Sequence, residues 1–281
     1  MPPAPLVPSG GRGATWRPLC AVASALVLSC AAMLIPAAVP PPRATGKARP
    51  VYRPSPATAS RPVDSAALPG GASFAASGAG TWHVVPGASG TTAGTGRRLL
   101  TYTVEVEDGI RPTAGDASFA AAVDTILADP RSWTGLGDVS LRRLDDPSEE
   151  PDFRVSLTSP GTSRRPDLCG FAIPYDTSCN LPKRKRVVIN LARWIRGAHS
   201  YDSDLPGYRR YAVNHEVGHA LGHGHVGCPA AGAPAPVMMQ QTFGLSNAYL
   251  AQLNRSDPGG ASPVRPDGKI CRPHEWVAST P

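Results

Sequence analysis

Large apolar residues are scarce over the first eighty positions of this 281-residue chain. That shortage excludes a packed core there. Pro, Ala, Gly and Ser dominate, in stretches such as Pro40-Pro41-Pro42-Arg43, Arg53-Pro54-Ser55-Pro56 and Gly71-Ala72-Ser73-Phe74-Ala75-Ala76-Ser77-Gly78. Such segments bury too little surface to offset chain entropy. Cysteine is also sparse, six in all, with no pair at C-x-x-C spacing. A cysteine-built zinc module is therefore disfavoured. Acidic residues are outnumbered, 21 against 28 Lys and Arg, for a formal charge of +7. No nucleic-acid reading motif accompanies that charge, so no nucleic-acid partner is expected. A basic face can attract cell-wall polymers or lipid head groups. Scattered pairs such as Arg97-Arg98, Arg142-Arg143 and Arg209-Arg210 read more simply as solvated surface.

One apolar run interrupts the poor N-terminal stretch. Leu19 to Val39 follows Arg12 and Arg17 and is broken only by Ser24, Ser29 and Pro36. It is long enough to cross a hydrocarbon layer of about 30 Å as a helix. An uncleaved anchor is the first reading, a cleaved signal sequence the second, and a lipoprotein site at Cys30 the third. The expected organisation is a short basic segment over 1–18, the anchor or signal over 19–39, a disordered linker over 40–79 and a globular domain over 80–281. The domain would lie outside the cytoplasm, on a single-pass anchor or secreted. Cys169, Cys179, Cys228 and Cys271 all fall in the globular part. Behind an export signal, four cysteines suggest two disulfides. Three connectivities are open; Cys169–Cys179 with Cys228–Cys271 pairs a short local loop with a bridge to the C-terminal tail.

The chemistry is concentrated in His215-Glu216-Val217-Gly218-His219-Ala220-Leu221-Gly222-His223-Gly224-His225. Positions four apart share a helix face, so His215 and His219 can grip one zinc ion. His223 on a continuing helix would lie about 12 Å along the axis from His215, too far to share that ion. Gly222 can turn the chain and bring His225 back as the third ligand. Glu216 stands beside the first ligand, where it can take a proton from water activated by the metal. Three histidines and a glutamate leave one position open, the pattern of a catalytic rather than a structural zinc site.

This motif resembles that of the metzincins, zinc peptidases marked by it and by a downstream methionine turn. Pro236-Val237-Met238-Met239-Gln240 stands where the turn belongs. The resemblance implies that Met238, or else Met239, floors the metal. A closer likeness is to an actinobacterial family of membrane-anchored or secreted metzincin-like proteins. It is carried by Tyr102 to Glu107, Val187 to Trp194, Asn214 to His225 and Pro234 to Gln241. It runs from about residue 80 to the C-terminus and implies no particular substrate. The tyrosine that some metzincins place after the methionine is missing, as is a cysteine-switch propeptide.

The expected fold is α+β: a metzincin-like domain with a twisted, mostly parallel sheet, a backing helix, an active-site helix and a small irregular lower subdomain. Strands are expected over Leu99–Glu107, Asp138–Leu144, Phe153–Leu157 and Arg186–Leu191. Helices are expected over Asp116–Ala128, capped by Asp116, over Pro206–Leu221 and over Asn247–Asn254. Gly170 to Tyr175 is a candidate rim of the cleft. The expected function is a zinc endopeptidase, one Zn2+ per domain, acting on an extended peptide or protein. The alternatives are a non-catalytic zinc-binding interaction module and an amidase acting on cell-wall peptides. Oligomeric state is left open.

Overall fold

The computed structural model of the chain describes residues 64–87, 90–112, 114–256 and 264–278. In chain order the elements are β1 (Trp82–Val84), β2 (Thr92–Ala93), β3 (Arg98–Glu107), α1 (Asp116–Ala128), β4 (Val139–Arg143), β5 (Phe153–Thr158) and α2 (Pro160–Ser163). There follow β6 (Cys179–Leu181), β7 (Arg186–Asn190), α3 (Leu191–Arg196), α4 (Leu205–Ala220) and α5 (Asn247–Ser256). The seven strands form one sheet in the order β2-β4-β3-β5-β7-β6, with β1 paired to β3. The central strands β4, β3, β5 and β7 are parallel, while β1, β2 and β6 join antiparallel. The chain is thus mixed α/β around a mostly parallel sheet.

Central strands of such a sheet are covered on both faces, and β3 shows it. Tyr102, Val104 and Val106 are buried, and so are Thr103, Glu105 and Glu107 between them. The two carboxylates are sustained by different partners. Glu105 pairs with Arg186 at 2.6 Å and Arg154 at 3.4 Å. Glu107 accepts from the Ser159 amide at 2.7 Å, Thr162 Oγ1 at 2.5 Å and the Gly80 amide at 2.9 Å. Arg143 is equally interior, between Asp124 at 2.7 Å and Asp145 at 2.9 Å. Arg143 therefore belongs to the core, and Arg186 is half-buried against Glu105, not part of a solvated basic surface. Helix α1 lays Phe119, Val123, Ile126 and Leu127 on the main core. Asp116 does not cap this helix. It is the first helical residue, the cap is Gly115 without a side-chain bond, and the Asp116 carboxylate meets His83 at 3.1 Å.

Residues 64–79, expected as the end of the linker, are packed on the domain. Composition missed this because, beside apolar contacts from Ala66, Phe74 and Ala75, much of the attachment is polar. Arg193, fully buried in α3, donates to the carbonyls of Ala66 (2.6 Å), Ala67 (3.2 Å), Asp176 (2.7 Å) and Gly197 (3.3 Å). Arg196 reaches the Ala72 carbonyl at 2.9 Å and lies over Phe74. Asp64 accepts from Tyr175 and, at 2.7 Å, from Tyr249. Those hydrogen bonds, Tyr175 first, hold its pKa below the usual carboxylate value.

A second buried cluster, including Ala66, Ile173, Met239, Phe243 and Leu250, lies apart from the main core. Past Gly222 the described residues form no strand, only α5 and isolated bridges. This irregular part is closed by Cys228–Cys271, and Cys169–Cys179 closes a short loop before β6. Both bridges match the pairing considered from sequence and point to an oxidising compartment. Among the described residues no helix is long and apolar enough to cross a membrane. The run Leu19 to Val39 lies outside the described residues, as does most of the linker.

Cys228–Cys271 spans 43 residues. Replacing both by serine should cost about 2–4 kcal/mol of unfolding free energy, more than opening the ten-residue Cys169–Cys179 loop. Urea unfolding of the two double-serine variants measures this. Equal midpoints for parent and Cys228/Cys271 variant would refute it.

Candidate metal centre

Helix α4 carries the site. Asp204 caps it, accepting from the Gly207 amide at 2.9 Å, with Pro206 in the first turn. The helix is buried from Tyr208 to Gly218 apart from Arg209 and Arg210. Asn214, just before the first histidine, is pinned from three sides. Its side-chain oxygen accepts from Ser132 at 2.7 Å, its amide donates to the Glu275 carbonyl at 3.1 Å, and its own carbonyl accepts from Trp133 Nε1 at 2.8 Å.

The helix ends in a Schellman turn. The Gly222 amide donates to the His219 carbonyl at 3.1 Å and the His223 amide to the Gly218 carbonyl at 2.9 Å. Gly222 has φ 99°, a conformation with a steric penalty for any residue with a side chain. The turn separates the two later histidines. The His223 ring stacks on Trp133 with centroids 4.3 Å apart. The His225 ring returns to the helix, its Nε2 3.0 Å from His219 Nε2.

One ring nitrogen from each of His215, His219 and His225 lies within 4.8 Å of the other two. Carbonyls orient two of the rings: His215 Nδ1 meets Val237 O at 2.8 Å, and His219 Nδ1 meets His223 O at 2.8 Å. An Nδ1–H committed to a carbonyl leaves the lone pair on Nε2, the tautomer a metal requires. Burial, reinforced by His225 and His219, holds the His215 pKa well below its ordinary value. Burial also lowers that of His219. Both rings are thus disposed to be neutral ligands at pH 7. The donor set fits a divalent ion with nitrogen ligands.

Glu216 is buried next to this cluster, and its Oε2 has no hydrogen-bond partner. Desolvation alone pushes its pKa up to about 8. A buried carboxyl without a partner is costly, and it sits where a proton acceptor would be useful.

Met238 lies under the helix. A Cβ at Gly218 would run into Met238 Sδ and come within 2.6 Å of Trp133, so the close approach depends on glycine. Met239 belongs to the second cluster instead. The turn is held by Tyr211, whose hydroxyl donates to Met239 O at 3.0 Å, and by Gln241. Gln241 is fully buried; its oxygen accepts from Tyr201 and the His274 amide, both at 3.0 Å, and its nitrogen donates to His274 O at 2.7 Å. Sequence reasoning missed Asn214 and Gln241 as supports, and their closeness to the histidines and Met238 was the only signal.

The histidines and Glu216 line an open cleft of about 650 Å³. One wall is the Cys169–Cys179 loop and edge strand β6, with Gly170, Phe171 and Ile173 from the expected rim. Tyr175 leaves that rim for Asp64. The other wall includes Gln240, Thr242 and Phe243. Of the side chains lining the cleft, only Glu216 is acidic and none is Lys or Arg. A family model described as a protein of unknown function (DUF3152) matches residues 68–279. No curated protein and no solved structure matches.

Proposed function

Since the chain belongs to the DUF3152 family, whose description assigns no activity, we propose a function from the site itself: an extracytoplasmic zinc endopeptidase of metzincin-like fold. The observation that carries it is the convergence of His215, His219 and His225 beside a buried, unpartnered glutamate in an open cleft. A structural zinc site would be closed by a fourth protein ligand; among the described residues the cluster has three.

His215, His219 and His225 would hold the ion, and zinc bound there would supply Lewis acidity and a water acidified towards pH 7. Glu216 accepts the water's proton and later delivers it to the leaving amine. Its raised pKa belongs to the metal-free protein; a neighbouring dication favours the ionised carboxylate. The Val237 and His223 carbonyls fix the tautomers of His215 and His219. Met238 forms the apolar floor. Edge strand β6, antiparallel to β7, offers backbone groups to an extended peptide. The two disulfides support the extracytoplasmic setting, and the segment before the linker would supply membrane attachment or export.

The test is hydrolysis of a mixed peptide library by the zinc-loaded full chain. Cleavage should stop on removing the metal with a chelator and return with added zinc. Zinc uptake without cleavage of any peptide would overturn the endopeptidase reading in favour of a binding module. Release of amide bonds from wall fragments alone would redirect it to the amidase.

A further inference from the structure

Strand β6 ends the sheet, and one of its three side chains turns towards the active-site helix. Asn180 lies opposite Val187, and directly opposed residues share a sheet face. Val187 is fully buried in the main core with Val213 and Val217 of α4. Asn180 therefore stands on the α4 side of the sheet, and its neighbours Cys179 and Leu181 on the other. Strand β6 packs against α4, and Asn180 lines the same cleft as His215, Glu216 and His219.

Within the protein the Asn180 carboxamide bonds to nothing. The residue is half-buried. Neither its Oδ1 nor its Nδ2 has a hydrogen-bond partner among the described residues, and neither is a buried atom. Both ends of the amide are thus accessible, on a strand fixed by pairing with β7 and by the Cys169–Cys179 bridge. Other polar side chains of the cleft are committed elsewhere. Ser178 Oγ accepts from the Asn190 amide at 3.1 Å, Thr242 Oγ1 meets the Tyr208 hydroxyl at 3.2 Å, and the Tyr211 hydroxyl donates to Met239 O at 3.0 Å.

A carboxamide offers donors and an acceptor side by side. In an extended chain the N–H and C=O of one residue point the same way, the pair that an antiparallel ladder exchanges. The two sets are complementary. We propose that Asn180 binds substrate directly: its carboxamide takes the N–H and C=O of one residue of an extended peptide in the cleft. The proposal rests on the endopeptidase reading and adds a means of recognition to it. The group recognised is the backbone, so the site requires a peptide unit at that position and no particular side chain.

The test is a binding measurement that needs no turnover. The probes are capped Ala-Ala-Ala peptides with a metal-anchoring hydroxamate, at the C-terminus in one series and at the N-terminus in the other. The chain then lies on either side of the metal. Within each series every backbone N–H in turn is replaced by an ester oxygen. Affinities are measured for the zinc-loaded full chain and for Asn180→Ala. The variant should keep the parental zinc content and melting temperature, because the side chain it removes bonds to nothing else. One ester should weaken binding to the parent about tenfold, the scale of a single net hydrogen bond. Asn180→Ala should bind the all-amide probe about tenfold more weakly than the parent and lose less than about twofold to that same ester. Equal loss from the ester in parent and variant overturns the assignment, as does a parent indifferent to every ester; both leave the endopeptidase reading standing. A lowered melting temperature of Asn180→Ala would make the side chain structural and overturn it too. A zinc-loaded parent that binds none of the probes overturns both the assignment and the reading beneath it.

Discussion

Glu216→Gln should keep its zinc and lose peptide hydrolysis by at least ~10²-fold, the scale expected for removing a general base. The substitution preserves size and polarity, and Glu216 is not among the three clustered ligands. Its carboxylate has one buried oxygen without a partner, so an amide there breaks no hydrogen bond at that oxygen. Thermal stability should therefore hold or rise, since a buried carboxyl gives way to a neutral group. Zinc content, melting temperature and cleavage rate are measured on the same preparation. A variant that holds zinc and cleaves at the parental rate would remove Glu216 from the mechanism. Loss of zinc along with activity would make its role structural.

The second large effect separates two histidines only two positions apart. His225→Ala should abolish stoichiometric zinc binding, because His225 Nε2 stands 3.0 Å from His219 Nε2 within the cluster. His223→Ala should retain the metal, because that ring is stacked on Trp133 and only its backbone carbonyl reaches His219. Acid acts on the same nitrogens. His215 and His219 have lowered pKa values in the fold, so the unfolded chain binds more protons below its ordinary histidine pKa of about 6.5. Their contribution to metal-free stability is complete above that pH and is lost as pH falls below it. Metal content of the alanine variants, and urea midpoints of metal-free protein between pH 7.5 and 5 (roughly the histidine range), report these effects. Zinc retained by His225→Ala and lost by His223→Ala would reverse the assignment.

The parts legible in the sequence were those governed by local spacing. Helix α4 begins one residue before its expected start at Pro206, where the structure places Asp204 as the cap, and it stops before Gly222. Strands β3, β4, β5 and β7 are runs whose β-branched and apolar content is plain. The short elements β1, β2, β6, α2 and α3 were not anticipated. Three to six residues or fewer carry no measurable period, and β6 is defined by its partner Val187–Val188, not by its own Cys-Asn-Leu. The geometry of Gln241 and Asn214 was equally hidden, because a polar side chain reveals its partners only once distant segments meet. His274 and Glu275 are far along the chain from both.

Arg193 shows where such hidden determinants lead. A guanidinium does not lose its proton at accessible pH, so this buried group is a cation under all conditions in which the protein folds. Two of the four oxygens that solvate it come from Ala66 and Ala67. The folding unit therefore begins where the charge is satisfied, not where the apolar pattern starts. A cut at residue 80, or even at residue 68 where the family match begins, would strip those carbonyls and leave an interior charge half-solvated. Natural trimming that leaves the domain intact must then fall ahead of Asp64, whose carboxylate is itself bonded to Tyr175 and Tyr249.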